Sequence, residues 1–220
     1  SANSINVARW LPQLFYFMFA YKQLKNKYKD IVFSVPSGNF GNVCAGMIAQ
    51  KLGLPIKHFI ASNNDNNVVT RYLKSADYEP KPSVQTVSNA MDVGNPSNFI
   101  RIQAIYNNDF ETLKSNLSSY SFSDIETKEA LDEIYTTTGY IADPHGAVGY
   151  LGCKSYLKTN SEAHCVFLET AHPTKFLEVV KEVVAVDIPL PKQIKAVIDK
   201  VKVATQINDY SEFKAFLTEL

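Results

Sequence analysis

The chain has 220 residues, of which 45% are hydrophobic and 20% charged, a balance typical of soluble globular proteins and too apolar for intrinsic disorder. Its 22 lysines and arginines match its 22 aspartates and glutamates, so no global field draws it to nucleic acid or an anionic membrane. The three cysteines, Cys44, Cys153 and Cys165, form no CxxC pair, which argues against a disulfide framework or a zinc site; they read as buried, reduced thiols suited to the cytoplasm.

Residues 4–27 carry a helical pattern. Leu11, Leu14, Phe15, Met18 and Phe19 recur at helical spacing, while Trp10, Phe17 and Tyr21 cover other faces. That predicts a helix buried nearly all round, with Pro12 near its start or kinking it. The longest early apolar run, LFYFMFAY, is far short of the roughly 20 residues of a membrane span. No charged leader with a cleavage site is visible. The chain starts SANSINVARW, without methionine, and enters the helical pattern at once, as if cut inside a longer chain.

Residues 29–37, KDIVFSVPS, form a continuous apolar run ending in turn residues, which predicts a buried, parallel strand. GNFGN follows, then the helical VCAGMIAQKLG with Gly53 as its stop signal, then a second buried strand, PIKHFIAS. Residues 29–62 thus spell a βαβ unit. Residues 65–74 read as helix and 75–98 as a long irregular excursion, the kind that is often functional. Helices are expected around 98–106 and 124–137, the second opened by a Ser123/Glu126 capping box. In TTGYIADPHG, Asp143 takes an N-cap position and Pro144 the first turn of a helix through AVGYLGCKSYL. AHCVFLET reads as a strand and HPTKFLEVVKEVV as a helix. From Pro189 the chain is lysine-rich and helical. The expected architecture is a single three-layer α/β domain over 1–220, with a mostly parallel sheet flanked by helices and residues 186–220 as a C-terminal helical extension.

The sharpest local feature is Ser37-Gly38-Asn39-Phe40-Gly41-Asn42, between a buried strand and a helix. Glycines there allow a tight turn and close approach of backbone N–H groups to a ligand, and the helix that follows points its positive end at the same spot. This suits a phosphate, although GNFGN is neither a dinucleotide fingerprint nor a Walker A loop. A tight turn that binds nothing remains the competing reading. Asn39 and Asn42 can add side-chain donors. A second feature, Glu169-Thr170-Ala171-His172-Pro173, ends the late strand. Open α/β sheets bind ligands outside the carboxyl ends of their strands, so parallel strands would put Thr170 and His172 on the rim of the Gly38 loop. The Thr170 hydroxyl could then meet a ring nitrogen, or simply cap a helix. His145 sits in a first helical turn; His58, in a buried strand, and His164, in a polar turn, read as structural. The four histidines lack metal-ligand spacing, so no metal is expected.

Together, SINVARWLPQ, VPSGNFGNVCAGMIAQKLGLP, SNAMDVGNPSNF, ADPHGAVG and ETAHPTKF stand in the order seen in threonine synthases. The chain resembles the bacterial and fungal branch of that family over residues 1–185. The resemblance implies the tryptophan-synthase-β-like fold type II and pyridoxal 5′-phosphate (PLP) as cofactor. It implies conversion of O-phospho-L-homoserine and water to L-threonine and phosphate, with PLP as an electron sink. By motif matching, the family's phosphate loop falls on Gly38, Asn39, Phe40, Gly41 and Asn42, and its partner for the pyridine nitrogen on Thr170. Asn6, Arg9, Asn89, Asp92 and His145 fall in motifs that resemble those lining the family's substrate cleft. The family's Schiff-base lysine lies upstream of the SINVAR motif, so this chain would hold no catalytic lysine; Lys175 stands at the wrong end of the site. The implied partners are the small-molecule substrate and a missing N-terminal half, without nucleic acid or membrane, and the chain alone would be inactive. A phospho-lyase using the same loop and threonine, and a non-catalytic phosphate-binding α/β module, are the alternatives.

Overall fold

In the computed structural model, which describes residues 4–219, the chain opens on a broken helix. α1 (Val7–Trp10) passes through a 3-10 turn (Leu11–Gln13) into α2 (Leu14–Leu24). Pro12 lies in that turn, and its ring lacks the N–H that a continuous helix would use. The expected all-round burial does not occur. Trp10, Leu14 and Phe17 are buried, but Phe15, Tyr16 and Phe19 are 54%, 68% and 63% exposed. The buried stripe is the one that meets the sheet: the Phe17 ring stands edge-on to Phe33 and Phe59 at 5.1 and 6.0 Å.

The βαβ unit forms as read: β1 (Ile31–Pro36), α3 (Gly41–Lys51) and β2 (His58–Asn63). α4 (Val68–Ser75) follows, then the long irregular segment with one 3-10 turn at Asn89–Met91 and α5 (Phe99–Ile105). Two further elements have no counterpart in the sequence reading: α6 (Phe110–Asn116) and β3 (Leu117–Ser121). The strand LSSYS has little apolar character because it lies at the sheet edge, pairing with β2 from Phe59↔Leu117 to Asn63↔Ser121. α7 (Asp124–Thr138) opens with the Ser123/Glu126 capping box, and α8 (Pro144–Leu157) is capped by Asp143. β4 (His164–Phe167) begins at His164, which is therefore a strand residue and not part of a turn. A 3-10 turn (Pro173–Phe176) leads into α9 (Leu177–Val184).

All four strands are parallel, in the order β3-β2-β1-β4. Successive strands step outward from β1 to β2 and β3, while β4 lies on the other side of β1. The chain therefore diverges on either side of β1, and the carboxyl ends of β1 and β4 frame a crevice of the kind that binds ligands in open α/β sheets. One sheet face carries Phe33, Val35, Phe59 and Ala61 into the main apolar core with Phe17, Val43 and Met47. On the other, Ser34 and Ser62 meet α8: Ser34 Oγ donates to the Gly149 carbonyl at 2.6 Å and lies 2.8 Å from Ser62 Oγ. This is the three-layer α/β arrangement expected from the sequence.

Contacts separate the segment from Pro189 onward as a second unit. It contains α10 (Lys192–Lys195) and α11 (Tyr210–Thr218), and none of its described residues is buried. Among the described residues no helix is long and apolar enough to cross a membrane.

Candidate functional site

A cleft of about 760 Å³ opens at the carboxyl ends of β1 and β4. Its wall gathers Gly38–Asn42 from the β1–α3 turn, Leu168, Glu169 and Thr170 from the end of β4, and His145 from α8. Arg9, Gln13, Tyr16 and Gln23 line it from the opening helices. Of the residues singled out in the sequence, the structure thus brings together Arg9, Gly38, Asn39, Phe40, Gly41, Asn42, His145 and Thr170. No lysine stands among the lining residues.

The β1–α3 turn is built around two constraints. A Cβ on Gly38 would fall 2.7 Å from the Met91 Cα and 3.1 Å from the Ala90 carbonyl oxygen, so only glycine lets these two backbone segments approach. Phe40 takes the left-handed conformation, φ 62°, as the N-cap of α3, a posture that costs about 1 kcal/mol or more in a residue with a Cβ. Its ring holds it there, fully buried and edge-on to Phe99 at 5.7 Å. No side chain caps α3. Of its first-turn amides, Val43 N is taken by Asn42 Oδ1, which leaves those of Gly41 and Asn42, both residues lining the cleft, at the positive end of the dipole.

The two asparagines also hold the turn itself together. Asn39 Oδ1 accepts from Ser97 N at 2.6 Å and Ser97 Oγ at 2.9 Å, and its amide donates to Ser4 Oγ. Asn42 Nδ2 donates to the Pro36 carbonyl at 2.8 Å, and its Oδ1 accepts from Val43 N. Both side chains clamp the turn, each amide using one of its two N–H groups, so the backbone N–H groups are the turn's main contribution to an anion site. A peptide cradle too tight for a Cβ, joined to an uncapped helix start, fits a phosphate group.

Thr170 is exposed and lines the same cleft. It does not cap the turn that follows; His172 does, accepting from Thr174 N at 3.2 Å. His145 is buried and fixed at both ring nitrogens: Nδ1 donates to Asp143 Oδ1 at 2.6 Å, and Nε2 accepts from Ala90 N at 3.2 Å. An accepting Nε2 assigns the proton to Nδ1. Burial pushes the Asp143 carboxyl up, but the hydrogen bonds and charge of His145, with the adjacent Glu169, hold it below its ordinary range. Glu169 behaves oppositely: burial first, then the adjacent Asp143, raise it to about 9.

Asn6, Asn89 and Asp92 are not among the lining residues of this cleft. Asn6 caps α1 by accepting from Ala8 N at 3.0 Å. Asp92 tethers the long irregular segment, accepting from Asn64, Asn66 and the Thr86 hydroxyl through Oδ1 and from Thr86 N through Oδ2. Asn89 and Lys175 line a separate cavity of about 530 Å³ beside Asp124 and Leu177. The sequence named Glu169 within its second feature without giving it a role, and it did not mark Tyr16 or Gln23. Nothing in the helix pattern of residues 14–24 marks which exposed side chains turn toward a cleft.

A family model described as "Threonine synthase, C-terminal" matches residues 146–217. The threonine synthase of Haemophilus influenzae is 43% identical over 99% of this chain and 51% of its own length. The crystal structure of threonine synthase from Escherichia coli matches with a TM-score of 0.90 and 36% identity, over 100% of this chain and 51% of that one. A PLP-bound threonine synthase from Brucella melitensis matches with a TM-score of 0.89 and 30% identity, over 99% and 52%. The chain spans about half the length of the relatives it matches.

Proposed function

This chain belongs to the threonine synthase family, and from that premise we propose that it forms the half of a PLP site that holds the cofactor's phosphate and pyridine nitrogen. The observation that carries this reading is the cleft itself, with the uncapped start of α3 on one side and the Thr170 hydroxyl on the other. The backbone N–H groups of Gly38–Asn42 would hold the phosphate, and Thr170 would accept or donate one hydrogen bond at the ring nitrogen. A neutral hydroxyl leaves that nitrogen less readily protonated than a carboxylate partner would. When bound, PLP supplies an electron sink for carbanions at the substrate's α and β carbons.

The reaction of the whole enzyme would convert O-phospho-L-homoserine and water to L-threonine and phosphate. Arg9 brings a positive charge to the cleft wall, suited to an anionic substrate, and His145 holds the wall where it bonds the Ala90 amide. Asn6 and Asp92 would act at one remove, by holding segments in place. The remaining machinery, with the lysine that PLP chemistry requires, would come from the part of the longer relatives that this chain does not match. A cytoplasmic setting suits its three free thiols.

Titration of the purified chain with PLP, followed by borohydride and intact-mass measurement, tests the proposal. The expected result is reversible binding and no covalent adduct. A stoichiometric adduct on one lysine, no PLP binding, or threonine formation by this chain alone would each overturn it.

A further inference from the structure

Three buried carboxylate oxygens meet where the end of β4 crosses the start of α8, and the proposed cofactor contacts use none of them. Glu169 Oε1, Glu169 Oε2 and Asp143 Oδ2 are all shielded from solvent and make no hydrogen bond within normal geometry among the described residues. Asp143 Oδ1 is already spent, accepting from His145 N at 2.8 Å and His145 Nδ1 at 2.6 Å. The Glu169 carboxyl lies directly over Gly146, where a Cβ would collide with both of its oxygens. The glycine is what lets a strand-end side chain reach the first turn of α8. Two adjacent carboxylates without a cation between them would repel strongly in so dry a place. One shared proton removes the repulsion and satisfies two of the three oxygens.

We propose that Glu169 is a positioning residue held as the neutral carboxylic acid, sharing its proton with Asp143 Oδ2, and that this bond pins the Glu169–Thr170 turn to the first turn of α8. The chain of contacts then runs from Glu169 through Asp143 and His145 to the Ala90 amide. It joins the ends of three segments around the cleft. The groups that face Glu169 are Asp143, His145 behind it, and Tyr140, which is pushed up by burial and then by the charges of Glu169 and Asp143. A neutral Glu169 also keeps negative charge away from a cleft built to accept a phosphate. This second consequence rests on the function proposed above; the shared proton does not.

Burial and Asp143 place the Glu169 carboxyl at about 9 against an ordinary 4.5. A carboxyl raised in the folded state contributes stability that is fully present below the lower value and is lost as pH rises toward the higher one. The experiment compares this chain with E169Q and E169A, reading melting temperature and binding of pyridoxine 5′-phosphate, which cannot form an imine, from pH 6 to pH 10. Glutamine reproduces the neutral acid, since its amide donates to Asp143 and cannot ionise. The expected result is that E169Q melts at least roughly 2–4 °C above the parent at pH 9 and loses most of the parent's decline between pH 6 and 9. It should hold the ligand with an unchanged affinity up to pH 10, while the parent weakens roughly tenfold. E169A should melt below E169Q at every pH. A parent and E169Q with the same pH slope, an E169A as stable as E169Q, or an E169Q chain that fails to fold at pH 7 would overturn the proposal. Absence of ligand binding in all three chains, with the difference in melting slopes intact, would overturn the PLP reading and leave the shared proton standing.

Discussion

Two residues show how a single side chain sets measurable behaviour. His58 is buried in β2, with Nε2 2.9 Å from Ser118 Oγ, and burial lowers its pKa to about 4 from an ordinary 6.5. The unfolded chain therefore binds the proton more readily between those values. His58 is neutral at no cost above about pH 6.5, and the fold loses stability as pH falls toward 4, by about 3 kcal/mol for a shift of this size. His58→Asn should flatten that acid limb in urea unfolding measured from pH 7 to pH 4; an unchanged limb would assign the proton elsewhere. Gly38 acts through space alone. In Gly38→Ala the new methyl would meet the Met91 Cα and Ala90 carbonyl, backbone atoms that cannot swing aside. We expect a loss of about 1–3 kcal/mol in stability and at least a roughly tenfold weaker hold on PLP in a fluorescence titration.

At the scale of the element, α2 separates burial from hydrophobicity. Its aromatic residues look alike in sequence, yet Phe17 is fully buried between Phe33 and Phe59 while Phe19 is 63% exposed. Phe17→Ala should cost about 3–5 kcal/mol, the usual range for deleting a core aromatic. Phe19→Ser should stay within about 0.5 kcal/mol, as surface changes do. Denaturant melts of the two variants would check the contrast, and equal losses would contradict this orientation of the helix. α7 offers a milder test. Ser123 accepts from Glu126 N, and Glu126 returns the bond to Ser123 N. Ser123→Ala should cost about 1 kcal/mol, read as a shift of the urea midpoint with an unchanged slope.

For the whole molecule, the organising fact is a four-stranded parallel sheet whose order changes direction at β1. The unit ending at Ile188 owns every buried residue described here, and the segment from Pro189 onward has none. A chain ending at Ile188 should therefore keep its cooperative transition and its midpoint within about 1 kcal/mol. Loss of the transition on truncation would show that the segment from Pro189 onward supports the core.

Sequence alone determined the elements with strong local signals. The βαβ unit, the Asp143 and Ser123 caps and the glycine-rich turn all follow from neighbours within a few residues, because strand burial, capping and tight turns are local in their physics. The motifs were long enough to point to a family. Other features depended on contacts distant in the chain. β3 exists because β2 offers it an edge, not because LSSYS prefers to be extended. Pro12 marked a disturbance, but only packing against the sheet decided which aromatic residues of α2 are buried. The asparagines of the GNFGN turn were recognisable as a site, yet their side chains bond to Ser4 and Ser97 or to the turn itself. The role of Glu169 carried no local signal, since its unusual proton affinity arises first from burial, then from Asp143, 26 residues earlier, which the glycine lets it approach. Periodicity and caps are written in the order of residues; burial, charge neighbours and the lining of a cleft are properties of which distant residues the fold brings together.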